Sequence, residues 1–173
     1  MRDDSVLPGR AVVLRPATLG DVPRLVAMLG TPEVSRWWGT PKTAGALSRD
    51  LVDEDAAYFA VTVGGELAGM IQYHEENEPD YRSAGIDLFL APRYQGRGLG
   101  TDAARTMARH LLFDRGHHRL TIDPAAHNAR AIASYRKLGF RPVGVMRQYE
   151  RGSDGTWHDG LLMDLLADEF VDE

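Results

Sequence analysis

Between Ile86 and Asp123 the chain runs apolar stretch, glycine-rich turn, amphipathic stretch and second apolar stretch, an order that few folds accommodate. Ile86 to Ala91 reads as a strand stopped by Pro92, followed by Gln95-Gly96-Arg97-Gly98-Leu99-Gly100. Leu99, Ala103, Met107, Leu111 and Leu112 then share one helical face, with Asp102 in the first turn and Arg115-Gly116 at the end. Arg119 to Asp123 is a strand again, with Leu120 and Ile122 to one side and Thr121 and Asp123 to the other. A strand, a helix and a strand in succession predict a parallel pair joined by a right-handed crossover. The fold class is therefore mixed α/β.

The turn itself carries chemistry. Glycines at 96, 98 and 100 leave backbone amides unshielded at a helix N-terminus, which holds about half a positive charge and suits an anion. Gln95 and Arg97 can add donors. A P-loop would end in Gly-Lys-Ser/Thr, whereas Gly100-Thr101 has no lysine, and a dinucleotide fingerprint would need its third glycine at Thr101. A tight turn serving only the fold remains the alternative.

Upstream, Ala11 to Leu14 reads as a strand closed by Arg15-Pro16. Asp21 is placed as N-cap of a helix through Val22, Leu25, Val26 and Leu29, Thr31-Pro32 starts another, and a third amphipathic stretch runs from Thr43 to Glu54. Trp37-Trp38-Gly39 falls in the turn between them. Tyr58–Val63 and Leu67–Tyr73 flank Gly64-Gly65 as a hairpin, and Glu75, Glu76, Glu78, Pro79 and Asp80 read as an acidic loop. Downstream, Asn128 caps a helix reaching Leu138, and Phe140–Arg151 with Trp157–Leu165 form a long hairpin. The predicted order is β-α-α-β-β-β-α-β-α-β-β.

The 173 residues suit a single domain over 1–173, 43% hydrophobic and 26% charged. Cysteine is absent, which removes disulfides, thiolate metal ligands and any thiol nucleophile. His74, His110, His117, His118, His127 and His158 show no ligand spacing, so no metal is expected. A net charge of −5 argues against nucleic acid and favours a cationic partner. With no signal-like apolar core near the start and no run of 18 apolar residues, the expectation is a cytoplasmic protein without a membrane span.

Two pairs of residues further point to a site. Asn128 and Tyr135 share a helix face about 10 Å apart along the axis, and polar groups there need partners. Asn128 could be only a cap, and Tyr135 only a core residue with a satisfied hydroxyl. Asp87 interrupts an apolar strand, where a carboxylate is costly unless paired or working. Asp123 ends the neighbouring strand, at the edge where ligands of parallel sheets bind. Both could face one cleft and hold a cationic amine; a buried ion pair with an arginine is the alternative for each.

Gln95-x-x-Gly98-x-Gly100 resembles the pyrophosphate-binding motif of the GCN5-related N-acetyltransferases (GNAT), and the likeness extends over nearly the whole chain, from Leu14-Arg15-Pro16 through Leu88-Phe89-Leu90 to Asn128–Phe140. The resemblance implies a GNAT fold, a central splayed mixed sheet flanked by helices, with acetyl-CoA as co-substrate and no metal. It implies that Leu88, Phe89 and Leu90 pair with the pantetheine arm, and that amides of Gln95, Gly96, Arg97, Gly98, Leu99, Gly100 and Thr101 hold the pyrophosphate. Asn128 would bond the arm and Tyr135 would protonate the departing thiolate.

Gly85-Ile86-Asp87, Thr121-Ile122-Asp123-Pro124, Asn128-x-Arg130-Ala131-Ile132, Tyr135 and Gly139-Phe140 are most similar to aminoglycoside 6′-N-acetyltransferases. That likeness implies Asp87 as the base, and Trp37, Trp38, Tyr73, Glu75 and Asp123 around the acceptor. One departure is the short acidic stretch before Asp87, where close members carry a longer insertion. Alternative acceptors are a protein N-terminal amine, which the Arg147–Asp164 hairpin with Trp157-His158-Asp159 resembles, or a siderophore amine. A non-enzymatic acyl-CoA sensor is the second alternative, and a homodimer is expected by analogy with the fold.

Overall fold

The computed structural model describes residues 3–53 and 55–173. In chain order the elements are β1 (Leu7–Pro8), β2 (Val13–Pro16), α1 (Val22–Leu29), α2 (Pro32–Trp38), α3 (Ala44–Val52), β3 (Ala57–Val63), β4 (Glu66–Glu76), β5 (Ser83–Leu90), α4 (Leu99–Arg109), β6 (Arg119–Ile122), α5 (Ala129–Arg136), β7 (Arg141–Arg151) and β8 (Trp157–Leu166). All eight strands form one sheet in the order β1-β2-β3-β4-β5-β6-β8-β7. Among the described residues only β5 and β6 run parallel, joined by α4 as the strand–helix–strand pattern requires. The third amphipathic stretch ends at Val52, and Glu54, its expected last residue, lies outside the described residues.

The two faces of the sheet are covered differently. On one, Ala103 and Met107 of α4 and Leu111 in the turn that follows it pack against Phe59, Ile71, Tyr73 and Ile86. On the other, Leu25 and Leu29 of α1 and Leu47 of α3 cover Ala60, Met70 and Phe89. Asp102 sits in the first turn of α4 as expected and does more there: buried, its carboxylate accepts the amides of Arg10, Ala11 and Val12 at 3.2, 2.7 and 3.1 Å. It thus ties the loop between β1 and β2 to the crossover helix.

Local chemistry explains several boundaries. Asp21 stands at the N-cap position of α1, but its side chain makes no cap hydrogen bond there; it accepts the Thr18 amide at 2.8 Å and a two-pronged Arg15 guanidinium at 2.7 and 2.8 Å, closing the turn before the helix. Trp37 and Trp38 lie in the last turn of α2, which stops at Gly39 with φ 70°. The expected acidic loop begins later, because β4 continues through Glu75 and Glu76, paired with Ala84 and Ser83.

Two irregularities shape the site. β5 and β6 pair only at Ala84–Leu120 and Gly85–Thr121, although β5 runs on to Leu90. Beyond Gly85 the strands part. In the β7–β8 hairpin, Met146 pairs Gly160 and Glu150 pairs His158, so Arg147, Gln148 and Tyr149 stand against Asp159 alone. Gln148 adopts φ 49°, a left-handed conformation uncommon outside glycine, and its amide donates to Asp159 Oδ1 at 2.8 Å.

Candidate active site

Where β5 and β6 separate, a cleft of about 1070 Å³ opens between α2, the glycine turn, α5 and β7. Asp87, Asp123 and Tyr135 converge in it. Asp87 sits opposite Gln72 of β4 and accepts its Nε2 at 3.2 Å. Burial first, and the Asp123 charge second, push the Asp87 carboxyl above its ordinary value. Asp123, just past β6, accepts the Tyr149 hydroxyl at 2.7 Å. Among the described residues neither carboxylate is paired with an arginine, so there the ion-pair alternative does not hold.

Tyr135 reaches the same place from α5. Burial, then the Asp87 and Asp123 charges, raise its hydroxyl well above the usual tyrosine range, so it keeps its proton at neutral pH. No hydrogen-bond partner for that hydroxyl exists among the described residues. Asn128 caps α5, accepting the Ala131 amide at 3.2 Å, and also lines the cleft.

The gap edge of β5 follows a parity rule. The Ala91 amide donates to Ala68 on β4 at 2.8 Å, and alternate residues of a strand aim their backbone groups at opposite edges. Leu88 and Leu90 therefore present N–H and C=O to the gap, whereas the Phe89 backbone faces β4. Leu88 O accepts Trp38 Nε1 at 3.2 Å and Leu90 O accepts Gln95 Nε2 at 2.8 Å, leaving the Leu88 and Leu90 amides facing the opening.

In the glycine turn, Gly96 (φ 71°) and Gly98 (φ 77°) hold left-handed conformations. A side chain at Gly98 would meet nothing within 4 Å, so the turn lies bare along one flank. Gln95, Gly96, Gly98, Gly100 and Thr101 line the cleft, the Arg97 side chain is exposed, and Leu99 is buried in the core. Arg130 of α5 donates to Gln95 Oε1 at 2.8 Å and adds a positive charge beside the turn.

Trp37 and Trp38 both line the cleft, Trp37 against His127 and Trp38 edge-on to Phe89, each at 5.0 Å between ring centres. Tyr73 and Glu75 do not. Tyr73 is fully buried on the α4 face, stacked on Phe59, with its hydroxyl donated to Asp3 at 2.7 Å. Glu75 is held by Arg115 at 2.7 Å and His117 at 2.8 Å, which bring its carboxyl down to about 2. Their strand neighbours Gln72 and His74 occupy the cleft wall instead, because successive strand residues face opposite sides. His74 lies over Gly85, where an added Cβ would come 2.2 Å from the ring. Arg130, Tyr149 and Glu150 also line the cleft; each belongs to a segment singled out in the sequence, Asn128–Ile132 or the Arg147–Asp164 hairpin, but none was named there as a site residue.

Residues 11–141 match the family described as "Acetyltransferase (GNAT) domain". The chain belongs to the GNAT acetyltransferases. This acetyltransferase is 28% identical over 169 residues to the spermidine N(1)-acetyltransferase of Escherichia coli (strain K12), covering 94% of this chain and 90% of that one. It is 30% identical over 156 residues to the aminoglycoside N(6′)-acetyltransferase type 1 of Klebsiella pneumoniae, covering 79% and 77%. Its fold matches the crystal structure of the ribosomal-protein-S5-alanine acetyltransferase from Vibrio fischeri with a TM-score of 0.82 at 17% identity, over 97% and 100% of the two chains. GNAT acetyltransferases use acetyl-CoA. A bare glycine turn at the start of α4 and two free strand amides beside it fit that group: one flank for a diphosphate, one edge for an amide-bearing arm. No helix among the described residues is long and apolar enough to cross a membrane.

Proposed function

We propose that the enzyme transfers the acetyl group directly from acetyl-CoA to a primary amine of a cationic small molecule, with the 6′-amine of an aminoglycoside as the acceptor. The observation that carries this reading is the convergence of Asp87, Asp123 and a protonated Tyr135 where β5 and β6 part. Acetyl-CoA supplies an activated thioester. The Leu88 and Leu90 amides would orient its arm along β5, and the amides from Gln95 to Thr101, with Arg130, would hold the diphosphate. Asp87 takes the ammonium proton, directly or through a water, so that the amine nitrogen can attack the thioester carbon. As the C–S bond breaks, Tyr135 gives its proton to the sulfur, and the second proton shed by the nitrogen as the amide forms restores the Tyr135 hydroxyl, so the net proton released is the one Asp87 takes. Asp123, oriented by Tyr149, holds positive charge on the acceptor.

Direct transfer is consistent with the absence of cysteine, which leaves no thiol to carry the acetyl group. A linear polyamine is the second reading, supported by the spermidine acetyltransferase relative that spans nearly the full chain. Thiol release from acetyl-CoA, measured against aminoglycosides bearing a 6′-amine, spermidine and a peptide with N-terminal alanine, separates the readings. Aminoglycoside turnover with the lowest KM is expected. Turnover of the peptide alone would overturn the small-molecule acceptor, and binding of acetyl-CoA without turnover of any amine would mark a sensor.

A further inference from the structure

Adjacent residues of a regular strand point to opposite faces, yet Tyr149 and Glu150 of β7 both line the cleft. The bulge makes this possible. Three residues oppose Asp159 alone, Gln148 is turned to a positive φ, and the Asp159 carboxylate holds its amide there. Bulges of this kind re-aim side chains next to active sites, and a non-glycine residue in the left-handed region is strained and persists only where its surroundings enforce it. Gly160, on the facing strand, completes the arrangement: an added Cβ would stand 2.9 Å from the Tyr149 ring and 3.2 Å from Met146.

The two re-aimed side chains differ in what they meet. Tyr149 spends its hydroxyl on Asp123. Glu150, beside the end of α2 near Gly39, accepts no hydrogen bond and joins no ion pair among the described residues. The groups facing it are Asp87 and Asp123, both acidic, and His158, whose ring nitrogen is turned to Asp154 at 3.1 Å and Thr156 at 3.0 Å. Partial burial and these two carboxylates push the Glu150 carboxyl upward. A half-buried carboxylate without a partner is costly, and the unpartnered, deeply placed Tyr135 hydroxyl on the cleft floor is a second polar group aimed at the same space.

We infer that Glu150 anchors a second ammonium group of the acceptor, so that the enzyme selects amines carrying another cationic nitrogen besides the one it acetylates. The inference rests on the acetyltransferase reading and deepens it. Asp87 serves the reacting nitrogen at the floor, and Glu150 holds the distal one nearer the wall formed by β7 and α2. A monoamine of the same length would fill the cleft and leave the Glu150 charge unmatched.

The test compares α,ω-diaminoalkanes of increasing length with the monoaminoalkanes of equal length, at fixed acetyl-CoA, by thiol release. In the native enzyme the best diamine is expected to exceed its monoamine in kcat/KM by about 10- to 100-fold, mostly through KM, as for a hydrogen bond to a charged group. That preference should fall as salt is raised, because the pairing is partly screened. Glu150→Gln should bring the ratio close to one, and Glu150→Asp, which keeps the charge, should retain part of it. A native ratio near one, or a ratio unchanged in Glu150→Gln, overturns the role of Glu150 while leaving the transferase intact. Absence of turnover with every amine overturns the transferase reading itself.

Discussion

Asp87 can accept a proton only when ionised, and burial together with the Asp123 charge holds its pKa above the ordinary aspartate value. The acid limb of kcat/KM against pH should therefore lie above that of an exposed aspartate, with activity lost as the pH falls through the raised pKa. Asp87→Asn should reduce kcat/KM by about 10²- to 10⁴-fold and abolish that limb. Unaltered steady-state kinetics would remove Asp87 from the proton path. Tyr135 is the converse case, kept protonated by burial and by two negative neighbours. Tyr135→Phe should lower kcat by roughly 10²-fold, with little change in the KM for acetyl-CoA. Both residues were legible in the sequence because each is chemically out of place, a carboxylate inside an apolar strand and a hydroxyl on an apolar helix face. Glu150 was not: it looks like any charged residue of an exposed strand until the bulge is seen.

At the scale of elements, what sequence conveys is periodicity, and what it conceals is phase. The parallel pair around α4, the hairpins and the helix capped by Asn128 follow from apolar spacing, turn residues and caps. The assignment of Tyr73 and Glu75 to the cleft failed by one residue, because a strand shifted by one position exchanges its faces. The β4 ladder places Gln72 against Asp87 and His74 against Gly85, and that register is set by pairing partners remote in sequence. A direct check is Gly85→Ala, whose Cβ would collide with the His74 ring; lower catalytic efficiency is expected from displacement of the cleft wall. Asp102 illustrates the same limit. Its place in the first turn of α4 was legible, but not that three amides of the distant N-terminal loop converge on it. Asp102→Ala should cost about 2 kcal/mol or more, lowering Tm by roughly 4–8 °C in thermal unfolding while leaving KM for the acceptor close to native.

For the whole molecule, acid stability is decided away from the cleft. Glu75 is buried against Arg115 and His117, which hold its carboxyl at about 2, against about 4.3 in an unfolded chain. The same cluster includes Asp3, lowered by hydrogen bonds from Ser5, Tyr73 and His110, so the N-terminal segment is fastened to β4 and to the turn that follows α4 through an ionised carboxylate. A carboxylate depressed in this way stabilises the fold fully above about pH 4.3 and progressively less down to about pH 2. Unfolding free energy should decline over that interval. Glu75→Gln should be less stable at neutral pH and show a shallower decline, as followed by denaturant titration at several pH values. The separation of β5 from β6 has a different meaning for how such a molecule can change over time. The thioester would be held by backbone groups of β5 and the glycine turn, which are indifferent to most side-chain replacements. The acceptor would be read by side chains of α2 and β7, a short helix and the edge strand of the sheet. A substitution on β7, which does not pair with β5, leaves the thioester's bank undisturbed, so the choice of amine can drift while acetyl transfer is inherited intact.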